Sequence, residues 1–162
     1  MTTRSQSTSV LGPRSSFLLL AALLVLLVVD LTLALPPPQV TLEEVSPGSG
    51  PAVEREYRYR AHVTLYLDDG HKTPAGWSTR QSEGAAADRP YTFQPGVNLI
   101  QGWTEGVLQM VEGQRALLHV PAAKGYGDKA MGRPGGAGFY IPANSDLLFD
   151  IEILGKEEEE EL

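Results

Sequence analysis

Apolar and polar positions along the chain fall into a few readable periods. Phe17 to Val29 is an unbroken apolar run, interrupted by Asp30 and followed by Pro36-Pro37-Pro38. From Glu54 to Leu67 the period is two. Tyr57, Tyr59, Ala61, Val63, Leu65 and Leu67 share one parity, which predicts a half-buried strand closed by the turn Asp68-Asp69-Gly70. Gln39 to Val45 alternates more weakly and ends at the turn cluster 46–50. Tyr91 to Phe93 is a short strand candidate before Pro95-Gly96, and Arg115 to Val120 is a strand stopped by Pro121. Leu147, Phe149, Ile151 and Ile153 alternate along a last strand from Leu147 to Leu154. Between them the period changes once. Trp103, Val107 and Met110 recur at helical spacing from Gly102 to Val111, and Gly113 sits where a helix stop belongs. His71 to Arg89, which carries Trp77, and Lys124 to Asn144 read as long loops. Several antiparallel strands and one short helix predict an α+β domain, a sheet packed on a helix.

The first third changes the domain count. Arg4 and Arg14 precede the apolar run with no acid among them, and Thr32 and Ala34 suit the small-residue positions of a cleavage site. Residues 1–35 therefore read as a signal peptide. An uncleaved anchor and an organelle transit peptide remain as alternatives, the second because the start is rich in Ser and Thr. The expected domain runs over 36–155, about the size that supports one core. An acidic tail at 156–162 ends in Glu-Glu-Glu-Leu, a loose form of the Lys-Asp-Glu-Leu type of retrieval signal. The secretory pathway, most simply the endoplasmic reticulum lumen, is the expected compartment, with anchoring to the membrane if the leader stays.

Charge and chemistry then exclude more than they assign. The 162 residues carry a net charge of -7, so nucleic acid and anionic membrane surfaces are poor partners. There is no cysteine, hence no thiol nucleophile. His62, His71 and His119 lie far apart without metal-ligand spacing, and Gly102-Trp103-Thr104-Glu105-Gly106 lacks the ending of a phosphate loop. No metal or cofactor is expected. What remains is a set of large side chains on separate elements: Tyr91, Phe93, Trp103, Tyr126 and Phe149. Such aromatics can be core alone. Tyr126, though, is fenced by Gly125 and Gly127 in a loop, where function concentrates. An apolar cleft acting on a peptide by shape and desolvation fits that set.

These residues also carry a resemblance. GW-x-EG-x-x-x-M-x-x-GQR, then GYG, then IPAN-x-x-LLFDIEIL resemble the FKBP-type peptidyl-prolyl cis-trans isomerases. The likeness is dense from Leu99 to Leu154. It extends more thinly through Arg89-Pro90-Tyr91-Thr92-Phe93, Leu67-Asp68-Asp69-Gly70 and Ser46-Pro47-Gly48. It implies a bent antiparallel sheet of about five strands wrapped around one short helix. Trp103 would be the pocket floor, Ile100 would offer its backbone N–H, and the Tyr126 hydroxyl would donate to a substrate carbonyl. Tyr91, Phe93, Leu99, Ile141, Phe149 and Trp77 would contact substrate. Two positions depart from the family pattern. The usual cleft acid is supplied neither by Gly76-Trp77 nor by Thr73-Pro74, and the usual second-strand tyrosine is replaced by Val63. The resemblance implies an isomerase that acts on proline-containing clients and takes a macrolide inhibitor, and a monomer is the default expectation. The departures leave a non-catalytic peptide-binding or chaperone module, or a small-ligand binding domain, as alternatives.

Overall fold

In a computed structural model of the chain, the structure describes residues 36–80, 89–135 and 138–157. The leader (1–35) and most of the acidic tail therefore lie outside the described residues. Strands β1 (Thr41–Ser46), β2 (Tyr59–Leu67), β3 (Thr73–Ser78), β4 (Tyr91–Phe93), β5 (Arg115–Val120) and β8 (Leu147–Lys156) form one six-stranded sheet. Its order is β1-β5-β8-β2-β3, with β4 also on β2, and all pairings are antiparallel. Helix α1 (Gln101–Val107) packs on it. A short hairpin of β6 (Met131–Gly132) and β7 (Tyr140–Ile141) stands apart. The α+β architecture matches the sequence expectation, with one strand more in the sheet.

Parity decides the core. Tyr59, Ala61, Val63 and Leu65 of β2 are buried, as are Leu147, Phe149, Ile151 and Ile153 of β8. The two strands lie side by side, with Val63 opposite Ile151 and Leu65 opposite Phe149. Each such side chain contributes about 1.5–3 kcal/mol of transfer free energy. Tyr57 shares the parity but not the burial. It is 45% exposed, lies before the strand begins, and holds the Lys156 ammonium over its ring at 3.5 Å. β8 runs on to Lys156, and Glu157 still donates its N–H to the Arg58 carbonyl. The strand thus takes in the first residues of the expected tail.

The helix is shorter than its periodic pattern. After Val107 the Met110 N–H bonds back to Val107, a tightened turn, and Val111 leaves to bridge Ala52. Met110 remains buried without remaining helical. Two glycines let α1 lie close on β5. A Cβ at Gly102 would stand 2.2 Å from Val120 Cγ1, and one at Gly106 2.2 Å from Leu118 Cδ1. The spacing of four puts both on one helix face.

The segment from His71 to Arg89 corrects the sequence reading. It contains β3, an edge strand on β2. Its register jumps between Leu65↔Trp77 and Tyr66↔Pro74, leaving Ala75 and Gly76 as a bulge. Gly76 adopts φ 83° there. A proline, a bulge and a glycine together hide the period of two that marks a strand. The second expected loop likewise holds the 3-10 turn Ala122–Lys124 and the β6–β7 hairpin.

Candidate active site

A cavity of about 420 Å3 opens where α1, β2, β3, β4, β8 and the β6–β7 hairpin meet. Trp103 is its floor. The ring is only 3% exposed and is fenced by aromatic edges. Phe149 meets it at 4.9 Å between centroids and 72°, and Tyr91 at 6.0 Å and 72°. Such edge-to-face contacts add about 0.5–1.5 kcal/mol each beyond burial, so the floor is held rigidly. Tyr91, Leu99, Ile100, Tyr126, Ile141, Phe149 and Trp77 all line the same cavity.

Phe93 does not. It is 4% exposed and sits behind the floor, edge-on to Trp103 at 5.8 Å and beside Tyr59 at 6.1 Å. Only three residues long, β4 presents Tyr91 to the cavity and sinks Phe93 into the core. Val63 is likewise fully buried and does not reach the cavity; the β2 side chain that opens on it is Leu65. Leu65 could have been found from its parity, since it stands opposite Phe149. Asn98 and Phe139 also line the cavity. Asn98 sits in the left-handed region at φ 53°, and Phe139 projects 39% exposed from a glycine-rich loop. Neither position carries a periodic signal.

The residues that line this apolar space carry polar groups, among them the Ile100 N–H and the Tyr126 hydroxyl. Ile100 is the N-cap of α1, with extended φ and ψ, and its carbonyl accepts the Thr104 N–H at 3.2 Å. Among the described residues its own N–H meets no acceptor, as befits the unpaired donors at a helix start. The second is the Tyr126 hydroxyl. Burial, and secondarily the neighbouring Tyr91, raises it above its ordinary pKa of 10, so it stays protonated and able to donate. Its loop is tied down from several sides. Gly127 N–H bonds to the Ala122 carbonyl at 2.8 Å, and Asn144 N–H to the Gly127 carbonyl at 2.7 Å. Lys124 pairs with Glu105 of α1 at 2.6 Å. The Lys124 bond holds the Glu105 carboxyl below its usual range.

Among the described residues, none that lines the cavity is a carboxylate. Trp77 lines the cavity instead, its indole edge-on to Tyr91 at 5.6 Å and 6.1 Å from Trp103. The two acids of the β2–β3 turn, among the described residues, are engaged with other groups. Asp68 bonds His119 at 2.7 Å. Asp69 accepts from the His71 and Thr73 N–H groups and the Thr73 hydroxyl, closing the turn into β3. β3 in turn touches the hairpin loop: a Cβ at Gly76 would stand 2.6 Å from the Gly138 carbonyl. The histidines stay out of the cleft, His62 on Thr79 and His119 on Asp68. Among the described residues no three His, Asp or Glu side chains come together as a metal site.

Known proteins share this arrangement. The family model described as FKBP-type peptidyl-prolyl cis-trans isomerase matches residues 50–154. FK506-binding protein 1 of Aspergillus oryzae is 34% identical over 113 residues, covering 68% of this chain and 91% of that protein. The chloroplastic peptidyl-prolyl cis-trans isomerase FKBP13 of Arabidopsis thaliana is 33% identical over 116 residues, covering 67% of this chain and 51% of its own length. The crystal structure of AtFKBP13 superimposes with a TM-score of 0.60 at 31% identity, covering 73% of this chain and 93% of that one. With the model matching most of the chain and the fold agreeing, the chain belongs to the FKBP-type peptidyl-prolyl cis-trans isomerase family.

Proposed function

We propose that the cleft over Trp103 binds a proline ring and accelerates rotation about the preceding peptide bond. The observation that carries this reading is the held aromatic floor of a cavity that Ile100 and Tyr126, each with a group able to donate, also line. Rotation is slow because amide resonance must be broken, with a barrier of roughly 18–20 kcal/mol. The planar amide has more charge separation than the twisted one. An apolar cleft that strips water therefore disfavours the planar form relative to the twisted form. The donors hold flanking carbonyls in a bent shape. No bond is made or broken to the protein and no proton is transferred. In this reading Trp103, Ile100 and Tyr126 act on the reacting unit, while Tyr91, Leu99, Ile141, Phe149 and Trp77 shape its surroundings. Phe93 supports the floor from behind.

A second reading is supported by Trp77. With an indole in place of an acid, the cleft would hold a peptide without accelerating it. Exchange NMR on an Xaa-Pro peptide separates the two. Isomerisation above the uncatalysed rate supports the enzyme; binding at the uncatalysed rate supports the module. Trp77→Asp adds a direct comparison, because a gain in rate would mean that the missing acid limits turnover. Relatives bear the name FK506-binding protein, and we propose that the same cleft accepts a macrolide in competition with peptide.

We further propose, from the apolar leader, that the chain acts as a monomer on client polypeptides of the secretory pathway, most simply in the endoplasmic reticulum. The chloroplastic Arabidopsis relative supports organelle import as the alternative. Among the described residues, no helix is long and apolar enough to cross a membrane. A fluorescent fusion at the C-terminal side of residue 155 would decide the compartment. Reticular signal is expected, and plastid or mitochondrial signal would overturn the secretory reading.

A further inference from the structure

Tyr126 follows the 3-10 turn Ala122–Lys124 with only Gly125 between them. That turn is anchored from two sides. On one side the Ala122 N–H donates to Asp146 Oδ1 at 2.7 Å, just before β8 begins at Leu147. On the other the Lys124 ammonium reaches Glu105 Oε2 of α1 at 2.6 Å. The Lys124 carbonyl also lies against that helix, 3.2 Å from where a Cβ at Gly102 would stand. Trp103 is on α1 and Phe149 on β8, so the turn joins the two elements that carry the floor and its nearest aromatic edge. The bonds that hold the loop come from its backbone and from Lys124. Among the described residues, none comes from the Tyr126 hydroxyl. Apart from ring packing against the core, these anchors are what place the hydroxyl.

Glu105 is arranged for the contact. Gln101, one helical turn earlier, donates Nε2 to Glu105 Oε1 at 2.7 Å and leaves Oε2 for Lys124. Those bonds, Lys124 first, hold the carboxyl below its usual range and keep it ionised at neutral pH. The Lys124 side chain is only 16% exposed. An ammonium so far out of water needs a fixed counter-charge, and Glu105 supplies it. Neither residue is among those that line the cleft.

We infer that Lys124, paired with Glu105, is a positioning residue that holds the Tyr126 hydroxyl in register with the Trp103 floor. This rests on Tyr126 acting as a donor in the cleft. Hydrogen bonds weaken steeply as distance and angle depart from the ideal. A turn freed from α1 would leave the hydroxyl present but poorly aimed.

The test uses the full chain and a blocked Ala-Ala-Pro-Ala peptide, with binding followed by chemical shifts and turnover by exchange NMR. Tyr126→Phe should lower affinity about 2- to 10-fold, the worth of one hydrogen bond. Lys124→Met removes the charge and keeps most of the stem, and should lower affinity about 2- to 5-fold. In the double variant Lys124→Met/Tyr126→Phe the affinity should match that of Tyr126→Phe alone, because no hydroxyl is left to place. A lysine that only stabilised the fold would add its loss in both backgrounds. Glu105→Gln should reproduce Lys124→Met, and the charge swap Glu105→Lys/Lys124→Glu should regain affinity over Glu105→Lys alone. Losses that multiply in the double variant overturn the positioning role. So does unchanged affinity in Lys124→Met and Glu105→Gln while Tyr126→Phe still loses. A swap no better than Glu105→Lys overturns the pairing. Unchanged affinity in Tyr126→Phe overturns the donor reading and this inference with it, and leaves the Trp103 floor standing.

Discussion

The floor of the cleft and the wall that carries Trp77 are built in opposite ways. Trp103, Ile141 and Phe149 are buried to 3% exposure or less, Trp103 on the helix that packs on β5 and Phe149 on the central strand β8. Trp77 is half-buried, on an edge strand whose register breaks beside it. The floor is held by burial and aromatic edges, which a single substitution disturbs at high cost. The wall is held by a bulged strand, one carbonyl contact and an acid-closed turn. The floor residues Trp103, Ile141 and Phe149 fall within the stretch of densest resemblance, Leu99 to Leu154, whereas Trp77 lies outside it. The shape of the floor and the position of the wall are therefore set by different contacts.

The largest expected break in this comparison is Trp103→Ala. Removing a buried tryptophan costs about 3–5 kcal/mol through lost transfer energy and the cavity left behind. Urea unfolding should show that loss, and proline-peptide binding should disappear with it. A cost under about 1 kcal/mol with binding retained would mean that the ring is not the floor. Trp103→Leu keeps more of the volume and separates the binding effect from the folding effect.

How far the molecule was legible follows the same division. The strict alternation of Tyr59 to Leu65 and of Leu147 to Ile153 announced the two central strands, because both bury one face against the same core. Trp103, Val107 and Met110 announced the helix, although Met110 ended up past its last turn. β3 was illegible because Pro74, Gly76 and a bulge break the period of two. Phe93 was read onto the cleft because aromatic identity does not say which side of a three-residue strand it serves. Asn98 and Phe139 were missed because only the assembled loops bring them to the rim. Local period reveals what the sheet buries, and tertiary contact alone reveals the rim.

Gly76→Ala tests the wall. The new Cβ would meet the Gly138 carbonyl at 2.6 Å from a backbone at φ 83°. A non-glycine residue in that region costs about 1–3 kcal/mol, and here the obstruction is backbone that cannot simply rotate away. The indole signal of Trp77 should shift while that of Trp103 stays close to its native position. If both move together, wall and floor are not independent. If neither moves, β3 is not held by the hairpin loop.

A smaller effect is expected at the donor between them. Tyr126→Phe removes one hydroxyl and leaves the ring packing intact. Folding stability should change little, while peptide or macrolide affinity should fall by about 0.5–1.5 kcal/mol, the net worth of one hydrogen bond. Unchanged affinity would assign Tyr126 to packing alone.

The smallest expected effect lies in the turn that starts the wall. Asp69 is lowered from 3.8 to about 2, first by the Thr73 hydroxyl and then by the His71 N–H, with Thr73 N–H adding less. Because the folded state binds the proton more weakly than the unfolded state, the turn's contribution is present above the unfolded value and lost as pH falls through the folded one. Stability should therefore decline between about pH 4 and pH 2 through this group, in addition to any decline from other carboxylates. Asp69→Asn keeps an acceptor but removes the titration, so its curve should be flatter in that window alone. The group is fully exposed, and salt should shrink the difference further. Hydrogen exchange at Thr73 resolves it better than global unfolding, because the bond closes one local turn. If exchange there is the same in both proteins from pH 4 down to pH 2, the carboxylate does not hold the turn. The wall would then depend on the Gly76–Gly138 contact alone.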